Sequence, residues 1–157
     1  MVWPMLKPLS SLATYDLPVG ERLQTTIRRL APGDEDVARA LATRAPHTAL
    51  LADERTFFLV AFAGDEPIGF VLAYQLLRRH GEPTSLFVYE VDVGDAHRRR
   101  GVATALLREL ERLGRERGIR EAFVLTEPDN EAANALYASV GGVREETVMW
   151  DFTYAAD

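Results

Sequence analysis

The sequence predicts an α/β domain in which helices flank a mixed, mostly antiparallel sheet. Short runs rich in β-branched and aromatic residues alternate with helical stretches, which is typical of an α/β mixture. Two such runs, 57–63 and 67–77, flank a Gly64-Asp65 turn and predict a β-hairpin. The length of 157 residues suits a single domain with its own hydrophobic core.

The elements before the hairpin are short. A strand is expected over 25–30, and Pro32-Gly33 ends it. Asp34 is a helix N-cap candidate, and the two acidic residues after it favour the start of a helix. A second short helix is expected over 47–53.

The second half of the chain alternates strand and helix. Strands are expected over 84–93, 121–126 and 143–154. Apolar residues repeat with helical period from Ala103 to Leu113, which predicts an amphipathic helix ended by Gly118. Another helix is expected after Asn130, and Gly141-Gly142 ends it.

Composition excludes several classes of function. The chain has no cysteine, which excludes disulfides, thiol catalysis and iron–sulfur clusters. Its three histidines lack metal-ligand spacing, so no metal is expected. The net charge of −6 argues against nucleic acid and favours cationic partners. No apolar run is long enough to span a membrane and no signal peptide is evident, so a cytoplasmic location is expected.

Residues 1–23 form a separate piece ahead of a domain expected over 24–157. This extension contains three prolines in its first 18 residues and has no sustained period. Two interpretations stay open. It is a disordered arm, or it packs on the domain or a partner through Trp3, Leu6 and Leu9.

The turn between the 84–93 strand and the following helix has the features of an anion site. It reads HRRRGVAT, from His97 to Thr104. A helix N-terminus presents unpaired N–H groups and the positive end of the helix dipole. Gly101 lets an anion approach the backbone, and the arginines add charge. These features fit a pyrophosphate cradle, although a solvated basic turn is the alternative.

This RxxGxA turn and the downstream string NEAANALYASVGG together resemble the GCN5-related N-acetyltransferase (GNAT) superfamily over residues 25–154. The resemblance implies a GNAT fold whose sheet is splayed between its fourth and fifth strands. It also implies that acetyl-CoA is the co-substrate, with the pantetheine arm bonded to the backbone of Val91 and Val93. The residues that the resemblance assigns to coenzyme A are Val91, Val93, Arg98, Arg99, Arg100, Gly101, Val102, Ala103, Thr104, Asn130 and Tyr137.

Two longer strings, LFVYEVDVGDAHRRRGVATALL and AFVLTEPDNEAANALYASVGGVREE, are most similar to the type I aminoglycoside 3-N-acetyltransferases. The resemblance implies acetyl transfer to the 3-amino group of an aminoglycoside. The chain departs from that branch at Glu127-Pro128-Asp129-Asn130 and at Asp92, where a small residue is usual. These departures leave open another small amine, a polyamine or a protein amine as acceptor.

Acetyl transfer needs a base, because only a neutral amine attacks a thioester and alkyl amines are mostly protonated at neutral pH. Glu90 and Asp92 are candidates, since residues two apart on a strand share a face unless a bulge intervenes. The alternative is that either carboxylate only bonds to nearby backbone or arginine. Glu90, Asp92, Glu127 and Asp129 are the acidic residues expected to bind a cationic acceptor.

The departing thiolate needs a proton, and the Tyr137 hydroxyl is the candidate acid. The alternative is a core tyrosine, because Tyr137 shares an apolar stripe with Ala133 and Leu136. The resemblance suggests the backbone N–H near Val93 as the oxyanion donor. Direct transfer in a ternary complex is expected, without a covalent acyl-enzyme. A non-catalytic acyl-CoA-binding module is the alternative from a different class, and a homodimer stays open.

Overall fold

The computed structural model describes residues 12–16, 24–80 and 84–154. Within these residues the chain forms six strands, three α-helices and two short 3₁₀ helices. The strands are β1 Ala13–Asp16, β2 Gln24–Arg29, β3 Thr56–Ala63, β4 Glu66–Leu76, β5 Ser85–Val93 and β6 Glu121–Val124. The α-helices are α1 Glu35–Leu41, α2 Val102–Glu116 and α3 Glu131–Ser139, and the 3₁₀ helices are Thr48–Leu51 and Asp95–His97.

The six strands form one sheet in the order in which they occur in the chain. Every neighbouring pair is antiparallel except β5 and β6, which are parallel. Apolar side chains cover both faces of the central strands, and one core lies against α2 while the other lies against α1. The predicted mixed, mostly antiparallel sheet is confirmed.

Helix α2 packs along the first of these cores through one apolar stripe. Leu106, Leu110 and Leu113 are almost fully buried, and Ala103 and Leu107 are partly buried beside them. Burying each leucine contributes roughly 1.5–3 kcal/mol, so this stripe fixes the helix on the sheet. The N-terminus of α2 is thereby held at the end of β5.

A buried carboxylate ties the first strand to α2. Glu109 is 1% exposed, and it accepts two hydrogen bonds from Arg112 and one from Tyr15 on β1. Burial and the bond to Glu109 raise the pKa of Tyr15 to about 12. Residues 13–16 lie inside the predicted extension and pair with β2. Trp3, Leu6 and Leu9, through which the extension was expected to pack, lie outside the described residues, and the boundary near residue 24 stays a prediction.

The sheet opens between β5 and β6, which correspond to the fourth and fifth strands predicted from the sequence because β1 was not among them. The opening is where the resemblance implied it. Strand β5 pairs with β4 along its whole length, but it pairs with β6 only from Ser85 to Val88. The register between β4 and β5 shifts at this point, so that Tyr89 is an extra residue between the pairs of Val88 and Glu90. The edge of β5 from Tyr89 to Val93 therefore faces away from β4 into the opening.

Two sequence predictions need correction. The segment 143–154 was expected to be a strand, but the structure places none of its residues in a strand. Alternating residues favour extended backbone, yet a strand exists only where a neighbouring strand supplies hydrogen bonds. The short helix expected over 47–53 is a 3₁₀ helix confined to Thr48–Leu51. Among the described residues, no helix combines the length and the apolar character needed to cross a membrane.

Candidate active site

The turn before α2 has an unusual backbone. Gly101 has φ +81° and caps the helix without a side-chain bond, and Arg99 has φ +58°. Arg99 is the one non-glycine residue with positive φ among those described, and such conformations cost of order 1–3 kcal/mol and cluster at ligand-binding sites. The first intrahelical bond runs from the N–H of Ala105 to Gly101, so the N–H groups of residues 102–104 have no partner within the helix.

The three arginines of this turn have different environments. The Arg98 side chain donates to the Val93 carbonyl at 2.9 Å and forms ion pairs with Asp92 and Asp95. Arg99 and Arg100 are exposed, and no hydrogen bond or ion pair of theirs is seen among the described residues. Arg98 therefore fixes the turn against β5, whereas Arg99 and Arg100 are placed to approach an anion at the start of α2.

Glu90 and Asp92 share one face of β5. Glu90 lies opposite Leu72 and Asp92 lies opposite Phe70, and both of those β4 residues belong to the core on the α1 side. The bulge at Tyr89 precedes Glu90, so it does not separate the two carboxylates. Both residues are exposed, so the cost of burying an unpaired carboxylate does not arise here.

The backbone of Val91 and Val93 points into the opening of the sheet. The Gly94 N–H donates to the Ile68 carbonyl at 3.0 Å, which identifies 94 and 68 as a hydrogen-bonded pair. Because such pairs alternate in an antiparallel ladder, Val91 and Val93 direct their N–H and carbonyl groups away from β4. These groups are placed to bond to an extended ligand lying along β5.

The Val93 N–H is already engaged. It donates to the carboxylate of Asp92 at 2.8 Å, while Arg98 bonds to the Val93 carbonyl. The Asp92 carboxylate thus occupies the N–H that the resemblance suggested as oxyanion donor, and the Arg98 guanidinium occupies the carbonyl of the same residue. Asp92 consequently has backbone and arginine partners, which is the alternative that the sequence left open for it.

Asn130 has a structural function at the start of α3. Its side-chain oxygen accepts from the Ala133 N–H at 3.1 Å, so Asn130 is the N-cap of this helix. That bond leaves its amide nitrogen as the group that could meet a ligand. Glu127 and Asp129, expected near the acceptor, are exposed in the loop before α3.

Tyr137 lies on the wall of a cavity of about 680 Å³ between α2, α3 and the β5–β6 pair. It is half-buried, and burial raises the pKa of its hydroxyl. The wall also contains Val88 and Val124, the last paired residues before the sheet opens. The structure therefore brings Tyr137 to the base of the opening.

A row of aromatic rings that the sequence analysis did not single out crosses three strands. The ring centroids of Tyr74 and Tyr89 are 5.7 Å apart, and those of Tyr89 and Phe87 are 5.9 Å apart, both pairs in edge-to-face geometry. The Phe87 and Phe123 rings are stacked, with their centroids 5.0 Å apart. Tyr89 is 62% exposed and directly precedes Glu90. The alternation of Phe87 and Tyr89 along the strand was the signal that could have revealed this row. Among the described residues, no cluster of three or more candidate ligands suits a metal ion.

Comparisons with known proteins agree with this architecture. The model of the Acetyltransferase (GNAT) family matches residues 23–141. An L-2,4-diaminobutyric acid acetyltransferase of Methylotuvimicrobium alcaliphilum is 28% identical over 130 residues, which cover 83% of this chain and 70% of that protein. The Streptomyces coelicolor enzyme of the same name is 36% identical over 90 residues, covering 54% of this chain and 51% of that one.

Two solved structures have the same fold as this chain. An aminoglycoside acetyltransferase from an uncultured soil metagenomic sample has a TM-score of 0.77 and 30% identity, covering 83% of this chain and 99% of that one. The aminoglycoside N-acetyltransferase AAC(6')-Iy, solved in complex with CoA, has a TM-score of 0.71 and 23% identity, covering 82% of this chain and 99% of that one. The family match, the open sheet and the helix N-terminus at the end of β5 lead to one conclusion: the chain belongs to the GNAT family of acetyl-CoA-dependent N-acetyltransferases.

Proposed function

We propose that this enzyme acetylates a primary amine of a polycationic acceptor of the aminoglycoside class. The observation that carries the proposal is the exposure of Tyr89, Glu90 and Asp92 on β5, which present two carboxylates and an aromatic ring at the opening of the sheet. Carboxylates attract several ammonium groups at once, and an exposed ring packs against the apolar edge of a sugar. The resemblance of the strings around Glu90 and Tyr137 to the type I branch supports the 3-amino group as the position acetylated.

The turn and the N-terminus of α2 would hold the pyrophosphate of acetyl-CoA. The N–H groups of residues 102–104 would bond to phosphate oxygens, and Arg99 and Arg100 would neutralise their charge. The Asn130 amide would meet coenzyme A at the start of α3. The N–H and carbonyl groups of Val91 would hold the pantetheine arm so that the thioester lies near Glu90. Those of Val93 would join them once the arm displaces Asp92 and Arg98.

Glu90 would act as the base, and Tyr137 would act as the acid. Glu90 takes a proton from the acceptor ammonium, directly or through a water, and the neutral nitrogen attacks the thioester carbonyl. A nitrogen–carbon bond forms, the carbon–sulfur bond breaks, and the thiolate takes the proton of the Tyr137 hydroxyl. The acetylated nitrogen loses its second proton through water to the Tyr137 phenolate, and Glu90 releases the first proton to solvent. Burial raises the pKa of the Tyr137 hydroxyl, so this group is protonated at neutral pH.

Asp92 would bind the acceptor through its charge rather than take the proton. Its contacts with Val93 and Arg98 hold one carboxylate oxygen, and the residue remains exposed toward the acceptor side. Glu127 and Asp129 would add negative charge to the same region. The net charge of −6 on the whole chain also favours a polycationic acceptor.

L-2,4-diaminobutyrate is the second candidate acceptor. Three curated relatives, 28–36% identical to this chain, carry that activity in their names. Diaminobutyrate brings a carboxylate of its own, which the carboxylates of Glu90 and Asp92 would repel. The acidic surface therefore favours an acceptor that carries amines without an acid.

The deciding experiment measures release of free thiol from acetyl-CoA against matched acceptors. The panel contains an aminoglycoside, a linear polyamine, diaminobutyrate and a peptide with a free N-terminus. We expect the highest kcat/KM for the aminoglycoside, and NMR of the product locates the acetyl group on the 3-amino or the 6'-amino nitrogen. A higher kcat/KM for diaminobutyrate would refute the proposal and establish the second candidate.

A further inference from the structure

The face of the sheet next to α1 is only partly covered. The core on this side takes its side chains from β3, β4, α1, the 3₁₀ helix Thr48–Leu51 and Leu30. None of the described residues of β5 or β6 belongs to this core. In the part of the chain that the structure describes, the same face of β5 and β6 therefore extends beyond the core without a covering layer.

The row of aromatic rings lies on this uncovered part of the sheet. Tyr74 packs against the edge of the core on the α1 side. In the strand register Tyr74 lies opposite Phe87, and Phe87 lies opposite Phe123. Residues opposite each other on neighbouring strands share a face, and the strands are ~4.8 Å apart, so the row extends roughly 10 Å across the sheet.

The row differs from the other aromatic pair on this face. Phe58 and Phe70 are also edge to face, with centroids 5.6 Å apart, but they are 9% and 7% exposed within the core. Tyr89 and Phe123 are 62% and 45% exposed. Exposed apolar surface of this kind, rimmed by polar residues, is typical of a ligand-binding groove.

The rim of the row is acidic. Glu90 directly follows Tyr89, and Asp92 lies on the same face of β5. Burial, Tyr89 and the carboxylates of Glu90 and Asp53 raise the pKa of the Tyr74 hydroxyl, so both carboxylates act on this ring. Aromatic faces bind apolar C–H groups and ammonium groups, and carboxylates bind ammonium groups. The surface is therefore complementary to a ring that carries amines.

We propose that the aromatic row is a specificity-determining surface that selects acceptors built from rings. One ring of the acceptor packs on Tyr89 and Phe87 with its reactive amine at Glu90, and a second ring lies over Phe123. A linear amine reaches Glu90 without contacting the far end of the row. This inference rests on the proposed function, because it takes Glu90 as the point at which the amine reacts.

The first test removes the end of the row that is farthest from the reacting amine. Phe123→Ala is expected to raise the KM for an aminoglycoside about fivefold to tenfold, the scale of one lost aromatic contact, and to change kcat by less than about twofold. The ratio of kcat/KM for the aminoglycoside to that for a linear polyamine should fall accordingly. Phe123→Tyr keeps the ring and is expected to restore the KM.

The matched control is Leu77→Ala, which removes an exposed apolar side chain outside the row. Its aminoglycoside KM is expected to equal that of the unaltered enzyme. Equal KM values for Phe123→Ala and Leu77→Ala would overturn the proposal. A lower kcat with an unchanged KM in Phe123→Ala would overturn it as well. If Phe123→Ala changed the molar mass in solution without changing the KM, this face would be an interface between copies instead.

The second test needs no variant. With CoA in place of acetyl-CoA no acetyl group is transferred, so NMR of labelled phenylalanine reports binding alone. The chain has seven phenylalanines, which keeps the ring signals few enough to assign. An aminoglycoside is expected to shift the ring signals of Phe87 and Phe123 but not those of Phe58 and Phe70, whereas diaminobutyrate should shift neither pair.

This measurement separates the inference from the proposed function. An aminoglycoside that is acetylated but leaves the Phe87 and Phe123 signals unshifted would overturn the inference and keep the proposed function. An aminoglycoside that shifts both signals but is not acetylated would refute the proposed function, and it would support the row as a surface that binds rings.

Discussion

The close approach of β4 to β5 at Gly69 makes this glycine a sensitive point for the proposed thioester position. Gly69 lies opposite Val93, and a Cβ placed on it would lie 2.9 Å from the Asp92 carbonyl oxygen and 3.0 Å from a Val93 methyl. Real Cβ atoms do not approach backbone oxygen this closely, so Gly69→Ala must push β5 away from β4 by a few tenths of an ångström.

Overpacking of this kind costs typically about 1–3 kcal/mol. For a domain of this size each kcal/mol lowers Tm by roughly 2–4 °C, so Gly69→Ala is expected to lower Tm by about 2–12 °C. A displacement of about 1 Å costs ~10²-fold in rate, so a shift of a few tenths of an ångström is expected to cost a few-fold to ~10-fold in kcat.

The matched control is Gly94→Ala, one residue beyond Val93. A Cβ there meets the Ile68 carbonyl oxygen at 3.6 Å, which is ordinary contact, and Gly94 has a negative φ of −52°. Thermal melts and thiol release should therefore leave Gly94→Ala close to the unaltered enzyme. A Gly69→Ala enzyme with unchanged Tm and kcat would refute the claim that this approach fixes the position of β5.

Four further predictions address the turn, the acid, the acidic pair and the first strand. Gly101→Val should strongly weaken coenzyme A binding measured by calorimetry, because a β-branched residue disfavours φ +81° and obstructs the approach of the phosphates. Unchanged affinity in a folded variant would contradict the proposal that this turn binds pyrophosphate. Tyr137→Phe should lower kcat ~10²-fold with little effect on acetyl-CoA binding, whereas near-normal turnover would make Tyr137 a packing residue. Glu90→Gln should lower kcat, and its kcat should recover partly at high pH; identical pH–rate profiles for this variant and the unaltered enzyme would exclude Glu90 as base. Asp92→Asn can still accept the hydrogen bond from the Val93 N–H, so it should raise only the acceptor KM, and this increase should depend on salt. Folding raises the pKa of Tyr15 from 10 to about 12, so its contribution to the free energy of unfolding is complete below pH 10 and is lost as the pH rises through about 12. Thermal melts of Tyr15→Phe at alkaline pH should not show this loss of stability.

The fold and the glycine turn before α2 could be predicted from sequence because their signals are local. The hairpin turn, the helical stripe that ends at Leu113 and the Gly101 turn each depend on residues close together in the chain. The common face of Glu90 and Asp92 also followed from the period of a strand. The exposure of these two carboxylates could not be predicted from the strand period, because it depends on which neighbouring residues cover that face of the sheet.

Contacts between distant or competing groups were not predictable. Arg98 is predicted to bind phosphate with its two neighbours, and that prediction stays open. Its guanidinium also bonds to β5, and only the folded turn shows which arginine lies close to Val93. Asn130 was assigned to coenzyme A through the resemblance alone. Asparagine is also among the best N-caps, and the structure gives its oxygen that function.

The predicted strand over 143–154 failed for a reason that bears on the whole C-terminal region. Its alternation is a property of the segment, whereas a strand requires hydrogen bonds from another strand. Among the described residues no strand pairs with the segment or with the outer edge of β6, and no residue of α3 is buried. The alternating pattern of the segment alone therefore could not predict a strand, because it does not show whether a neighbouring strand is available.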